Sequence, residues 1–132
     1  MKIVATVRNS FQNHSVSVST NENSKVINIT PKPDGFGSSV NGGELLFAAL
    51  ATCFCNDIYR EAGKRNIKIE EAWVAVSGNF GGPGEPASDI TYSARVKADA
   101  PEAEIAELIR DTDKLAEIHN TLRKGVDVRL EM

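Results

Sequence analysis

The stretch GELLFAALATCFCND, residues Gly43–Asp57, holds both cysteines of the 132-residue chain, two positions apart at the end of its most apolar segment. From Leu45 to about Lys64 there is no proline, and no glycine before Gly63, so the pattern predicts a helix. Its first half is apolar on every side, which is typical of a helix buried all round, and its second half is amphipathic. We expect Gly63 to cap the C-terminus of this helix.

The same helix separates the two thiols. Successive residues advance by about 100°, so Cys53 and Cys55 point about 200° apart, and a disulfide between them would require the helix to open. Cys55 faces mostly packing residues, whereas Cys53 stands beside Asp57, with Arg60 further along that side. A thiolate needs positive charge or hydrogen-bond donors nearby. Cys53 is therefore the better candidate for chemistry, while the alternative that both cysteines fill the core stays open.

Before the helix, the sequence alternates between apolar and polar residues. This alternation predicts an antiparallel meander of three strands with one face buried, in the segments KIVATVR, HSVSVST and SKVINIT. A loop rich in proline and glycine, residues 31–43, then leads into the helix.

After the helix, two further strands are predicted at Ile67–Phe80 and Asp89–Ala98. Asp99 is expected to cap a second helical region, which the DTD sequence at 111–113 divides in two, with Asp113 capping the second piece. The alternating residues VDVRLEM at the end predict a last strand. The predicted order is βββ-α-ββ-αα-β, an α+β fold in a single domain over residues 1–132.

Composition excludes several classes of function. A net charge of −3 offers no electrostatic basis for binding nucleic acid, and no apolar run approaches the roughly 18–20 residues that span a bilayer. The N-terminus has no signal-peptide pattern, so we expect a cytoplasmic protein with reduced thiols. A Cys-x-Cys pair with His14 and His119 matches none of the usual zinc spacings, so no metal and no cofactor are expected.

Residues 41–54, NGGELLFAALATCF, resemble the signature of the OsmC/Ohr family, which reads approximately N-P-E-x-L-(L/F)-x-A-x-x-A-x-C-F. The predicted order of elements is also similar to that family over the whole chain. The resemblance implies an intertwined homodimer with a small hydrophobic, hydroperoxide-like ligand. It places Cys53 at the position of the cysteine that attacks the peroxide. In the family a glutamate and an arginine hold this thiolate, and Glu44 and Arg8 are the candidates here.

The chain departs from the family pattern at two of these positions. Gly43 occupies the place of the signature glutamate, and Glu44 follows one residue later. The resemblance places Ala116 where the family has a second cysteine that resolves the sulfenic acid, and Cys55 matches no functional position. Cys55 is therefore retained only as an auxiliary candidate.

Two functions stay open from the sequence. The first is thiol-dependent reduction of organic hydroperoxides by Cys53, with an external thiol as the resolving agent. The second is non-catalytic binding of a small molecule, or redox sensing, on the same dimeric scaffold. The missing resolving cysteine favours the second, and the position of Cys53 favours the first.

Overall fold

The computed structural model describes residues 1–132 and divides into two compact units, residues 1–45 and 46–132. It confirms the α+β class, with three helices and two small antiparallel sheets. No helix of the chain has the length and apolar character needed to cross a membrane. The elements are β1 (Ile3–Ser10), β2 (Asn13–Thr20), β3 (Asn23–Ile27), α1 (Gly42–Lys64), β4 (Ile69–Asn79), β5 (Ser88–Ala98), α2 (Glu102–Leu115) and α3 (Glu117–Lys124).

The first unit contains the predicted meander, in the order β1-β2-β3. Val7 pairs with Val16, and Val16 pairs with Ile27, so the predicted apolar face is formed in register. The expectation that this face is buried is wrong for the single chain. Val16 is buried, but Val7 and Ile27 are 60% and 43% exposed. A three-stranded sheet is too small to exclude water by itself from most of its apolar side chains.

Helix α1 ends at Lys64, as predicted, but its start and its C-terminal cap differ from the predicted ones. It begins at Gly42, and Asn41 forms a capping box with Glu44: each side chain accepts a hydrogen bond from the other residue's backbone N–H, at 2.8 and 3.0 Å. At the other end Asn66, with φ of 56°, occupies the left-handed position of a Schellman motif. The Ile67 N–H donates to the Ala62 carbonyl at 2.9 Å. The C-terminal cap is therefore Asn66 and not Gly63.

The core of the second unit forms where one face of α1 packs against α2 and the β4–β5 hairpin. Phe54, Ile58, Ala62 and Leu108 are almost completely buried, and apolar residues of β4 and β5 pack around them. The expectation that α1 is buried all round is wrong for the single chain. Only one stripe of the helix is buried, and Leu45 on its other side is 42% exposed.

The second helical region breaks at a different point from the predicted one. Helix α2 continues through residues 111–113 and ends at Leu115, and extended backbone at Ala116 (ψ of 107°) separates it from α3. Asp113 caps neither helix, and Asp99 lies before the actual N-cap residue, Pro101. The Thr112 hydroxyl donates to the Leu108 carbonyl at 2.7 Å, which satisfies a polar group buried inside the helix.

The last segment does not form the predicted strand. Residues 126–132 have no strand partner, and Val128 and Leu130 are 93% and 86% exposed. Alternation alone cannot make a strand, because a strand needs a neighbouring sheet edge to satisfy its backbone hydrogen bonds.

Candidate functional site

Cys53 lies on α1 at the boundary between its buried and exposed sides, as the sequence predicts. The partly exposed Sγ is 3.7 Å from Oδ2 of Asp57, one turn further along the helix, and 3.8 Å from Oε2 of Glu117, at the start of α3. The N–H of Ile118 also points to the sulfur. The thiol is thus held between α1 and the N-terminal turn of α3.

Arg60 supplies the positive charge of this cluster. Its guanidinium donates to Asp57 at 3.0 Å and to Glu61 at 2.8 Å, and it lies 4.0 Å from Glu117. The sequence placed Arg60 on the correct side of the helix, but the structure shows that its charge is committed to carboxylates. Arg60 therefore pairs with acidic side chains near Cys53, and this pairing limits how far its charge can stabilise a thiolate.

The surroundings of Cys53 favour the protonated thiol. Burial raises the pKa of Cys53, the hydrogen bond from the Ile118 N–H lowers it, and the negative charges of Asp57 and Glu117 raise it further. Burial also raises the pKa of the Asp57 carboxyl, followed by the charge of Glu117, while Arg60 acts in the opposite direction. Forming a thiolate here places a third negative charge beside two carboxylates.

We expect the substitution Asp57→Asn to raise the alkylation rate of Cys53 at pH 7 by about three- to tenfold. Removing the negative charge of Asp57 lowers the pKa of Cys53, so a larger fraction is thiolate at this pH. The rate is measured against pH with iodoacetamide and mass mapping. The control is Asp111→Asn, which removes a carboxylate on α2 that pairs with Arg65. An unchanged profile for Asp57→Asn would show that this charge does not control the thiol.

The same three side chains are the group in this chain that could share a metal ion. One ligand atom each from Cys53, Asp57 and Glu117 lies within 4.8 Å of the others. A thiolate with two carboxylates is a mixed soft and hard donor set, and structural zinc sites use four ligands rich in cysteine and histidine. The guanidinium of Arg60 already forms an ion pair with Asp57, so the cluster already contains a cation.

The two charged candidates taken from the family resemblance lie in the first unit. Arg8 is exposed on β1, where its backbone pairs with Ser15, and it takes part in none of the ion pairs of the chain. Glu44 stands at the start of α1, and its carboxylate closes the capping box with Asn41. Nine residues of helix, about 13 Å of axial rise, separate Glu44 from Cys53.

Cys55 lies away from the acidic cluster, on another side of α1. It is partly buried and free, and it lines a shallow depression with Ala51, Thr52 and Val74. The predicted divergence of the two thiols along the helix is consistent with this placement, because the contacts of Cys53 and Cys55 do not overlap.

The N-terminal part of α3 contributes groups that sequence reasoning missed. Glu117 directly follows Ala116, the residue that the family resemblance places at the resolving position, and Ala116 is fully buried. His119, a polar residue of the short helix α3, is only 5% exposed, and its ring centroid lies 4.6 Å from that of Tyr92. The signal for Glu117 was its adjacency to Ala116, since a residue beside the resolving position must approach Cys53.

A model of the family described as OsmC-like protein matches residues 35–131 of the chain. This region contains α1, Cys53, the β4–β5 hairpin and both C-terminal helices. No protein with a curated description is significantly similar to the chain in sequence.

Several solved structures have similar folds. The OsmC like protein from Mycoplasma pneumoniae is 24% identical with a TM-score of 0.64, over 95% of this chain and 87% of that one. An organic hydroperoxide resistance protein OsmC from Legionella pneumophila is 19% identical with a TM-score of 0.61, over 98% and 95%. The organic hydroperoxide resistance protein OhrB of Bacillus subtilis is 21% identical with a TM-score of 0.56, over 99% and 97%.

Proposed function

Because the chain belongs to the OsmC-like protein family, we propose that it reduces organic hydroperoxides through Cys53, with an external thiol as the resolving agent. The observation that carries the proposal is the position of Cys53. It is partly exposed at the signature position of α1, and its sulfur lies 3.8 Å from Oε2 of Glu117 in the first turn of α3. The similar proteins from Legionella pneumophila and Bacillus subtilis, described as organic hydroperoxide resistance proteins, support the choice of substrate class.

In the proposed reaction, the Cys53 thiolate attacks the terminal oxygen of the hydroperoxide. The S–O bond forms, the O–O bond breaks, and the departing alkoxide takes a proton to become an alcohol. The thiol proton can pass to Asp57, 3.7 Å away, whose raised pKa suits it to hold a proton and return it to the alkoxide. One external thiol then displaces water from the sulfenic acid, and a second reduces the mixed disulfide.

The external thiol is part of the proposal because the chain has no internal one within reach. Its only other thiol, Cys55, lies on the same helix and faces another side. Ala116 occupies the resolving position and carries no sulfur. The overall balance is one hydroperoxide and two thiols giving one alcohol, one water and one disulfide.

A second candidate function is redox sensing or small-molecule binding without turnover. The two carboxylates beside Cys53 favour it, because they raise the pKa of the thiol and so slow its reaction with peroxide.

The test is consumption of cumene hydroperoxide with dithiothreitol in excess, measured for the natural protein, Cys53→Ser and Cys55→Ser. Many equivalents consumed by the natural protein and by Cys55→Ser, with none above background for Cys53→Ser, would support the proposal. Consumption limited to one equivalent per chain would support the second candidate. Turnover that survives in Cys53→Ser would contradict both roles of this thiol.

We further propose that Arg8 and Glu44 complete the site in an assembled homodimer. Arg8 has no ion-pair partner in the chain, so its charge is available to a thiolate. Arg8→Gln is then expected to lower the rate of peroxide consumption, while Arg110→Gln, on α2, leaves it unchanged. Equal rates for the two variants would remove Arg8 from the site.

The homodimer itself is supported by the apolar surface that the single chain leaves exposed. It includes one face of the first sheet, one side of α1, and alternate residues of the C-terminal segment, with Val7, Leu45, Val128 and Leu130 all more than 40% exposed. Monomeric proteins rarely expose so much apolar surface, and two copies could cover it together.

We predict a single species of twice the chain mass in sedimentation equilibrium at micromolar concentration. Leu130→Asp is expected to shift this equilibrium towards monomer at least tenfold, because it places a charge on the apolar side of the alternating segment. Glu131→Ala changes the next residue, on the polar side, and should leave the dimer intact. A folded natural monomer at this concentration would exclude the homodimer.

A further inference from the structure

His119 is a buried polar side chain whose hydrogen-bonding capacity is unused. It is 5% exposed, and neither Nδ1 nor Nε2 has a hydrogen-bond partner within the chain. Buried polar groups in native proteins are nearly always paired, and an unpaired one calls for a specific explanation. By contrast His14, the only other histidine, is partly exposed and lies 2.9 Å from the Asn9 amide.

The surroundings of His119 favour the neutral imidazole over the imidazolium, because they lower its pKa. Burial lowers its pKa, and so does the positive charge of Arg123, while the carboxylates of Asp113 and Asp57 act in the opposite direction. A neutral imidazole has one N–H donor and one nitrogen acceptor, and here both are unused. A group that pairs with it needs to donate or accept one hydrogen bond.

His119 forms part of the wall of a cavity of about 230 Å³ within the second unit. The cavity lies between α1, the β4–β5 hairpin and α3, and most of its lining is aliphatic: Leu50, Val76, Ile90 and Leu122. Tyr92 and Arg123 complete it. A cavity of about 150 Å³ lined by such residues can hold a benzene molecule, so this one has room for a substituted ring.

The charged groups of the cavity wall are already satisfied by one another. Arg123 donates to Oδ1 of Asp113 at 2.6 Å and to its carbonyl at 3.1 Å, and the Tyr92 hydroxyl also donates to Oδ1 of Asp113. The negative charge of Asp113 offsets that of Arg123, so the wall has no free charge to attract an anion. His119 is the polar group left to recognise an occupant.

His119 lines the cavity, and its ring can take two orientations of nearly the same shape. Both nitrogens are enclosed by the protein, and a half-turn about the Cβ–Cγ bond exchanges ring carbon and nitrogen positions at almost constant volume. The aromatic side chains of Tyr92 and Phe54 lie beside the ring, at centroid distances of 4.6 and 6.1 Å.

We propose that this cavity is a binding site for a neutral, largely apolar molecule of single-ring size that carries one hydroxyl group, with His119 hydrogen-bonded to the hydroxyl. A hydroxyl can both donate and accept, so it can pair with whichever nitrogen faces it. Cys53 does not line the cavity, so the site stands apart from the thiol chemistry proposed above.

The test compares two probes of nearly equal shape, benzyl alcohol and ethylbenzene, which differ by a hydroxyl in place of a methyl group. In the ¹⁵N-labelled protein, benzyl alcohol is expected to shift the ring-nitrogen resonances of His119 saturably and to leave those of His14 unmoved. Ethylbenzene is expected to enter the cavity without this shift. No saturable shift at His119, or equal shifts at both histidines, would overturn the proposal.

Two variants separate the cavity from the hydrogen bond. His119→Phe keeps an aromatic ring and removes the nitrogens, so it should weaken benzyl alcohol binding roughly fivefold and change ethylbenzene binding less than twofold. Leu122→Trp fills the cavity from a partly exposed position and should abolish binding of both probes. If His119→Phe leaves the ratio of the two affinities unchanged, His119 does not recognise the hydroxyl.

Discussion

Replacing Phe54 with alanine is expected to lower the free energy of unfolding by about 3–5 kcal/mol, a large fraction of the stability of a domain of this size. Phe54 is completely buried at the centre of the core, and its ring packs edge-on against Tyr92 at a centroid distance of 5.1 Å. The substitution removes the contacts of the ring and leaves a cavity between α1 and the β4–β5 hairpin. Urea unfolding followed by circular dichroism measures the loss.

Tyr59→Ala is the matched control, because Tyr59 lies on the same helix and is 45% exposed. We expect it to cost about 1 kcal/mol or less. Similar losses for the two variants would mean that the core of the second unit is not centred on Phe54. Both variants are to be compared at one protein concentration, since a dimer's apparent stability depends on it.

The second large effect concerns the fate of Cys53 under peroxide. Without small thiols, the natural protein is expected to form no intramolecular disulfide, and the Cys53 sulfenic acid should proceed to sulfinic and sulfonic acid. Ala116→Cys should convert this outcome to a Cys53 disulfide with the introduced thiol at low peroxide. Position 116 lies two residues before Ile118, whose backbone N–H reaches the Cys53 sulfur. Intact-mass and peptide mass spectrometry distinguish the products.

Leu115→Cys provides the control for this substitution. Leu115 is the neighbour of Ala116, but it is 47% exposed, whereas Ala116 is fully buried. A cysteine there should not capture the sulfenic acid within the chain. If Ala116→Cys gives only sulfinic acid at Cys53, residue 116 does not occupy the resolving position. A natural Cys53–Cys55 disulfide would instead show that α1 opens between the two thiols.

The elements that local patterns predicted correctly are those whose signals lie within a few residues. Helix α1 and the β4–β5 hairpin follow from apolar periodicity and from the breakers between them. The predicted helix break at residues 111–113 failed because Asp111 and Asp113 gain partners elsewhere in the fold. Asp111 binds Arg65 at 2.7 Å, and Asp113 binds Arg123 at 2.6 Å. These ion pairs stabilise two turn-forming residues inside a helix. Helix propensity describes single residues and carries no information about such long-range contacts.

Helical spacing predicted only the part of the candidate site that lies on α1. Asp57 and Arg60 follow from helical spacing relative to Cys53, and their placement beside it is confirmed. Glu117 could not be found by spacing, because 64 residues separate it from Cys53. The burial of His119 also depends on Tyr92, on a distant strand, so the local pattern of α3 does not predict it.

Helix α3 contributes residues both to the Cys53 cluster and to the wall of the cavity, and this position has a thermodynamic consequence. Glu117 and the Ile118 N–H face the Cys53 sulfur, while His119 and Leu122 face the cavity. A cavity occupant that displaces α3 therefore changes the free energy of oxidising Cys53. Linkage is reciprocal, so oxidation of Cys53 then changes the affinity for the occupant by the same factor and in the same direction. The protein with a reduced Cys53 and the protein with an oxidised Cys53 must therefore bind that occupant with different affinities.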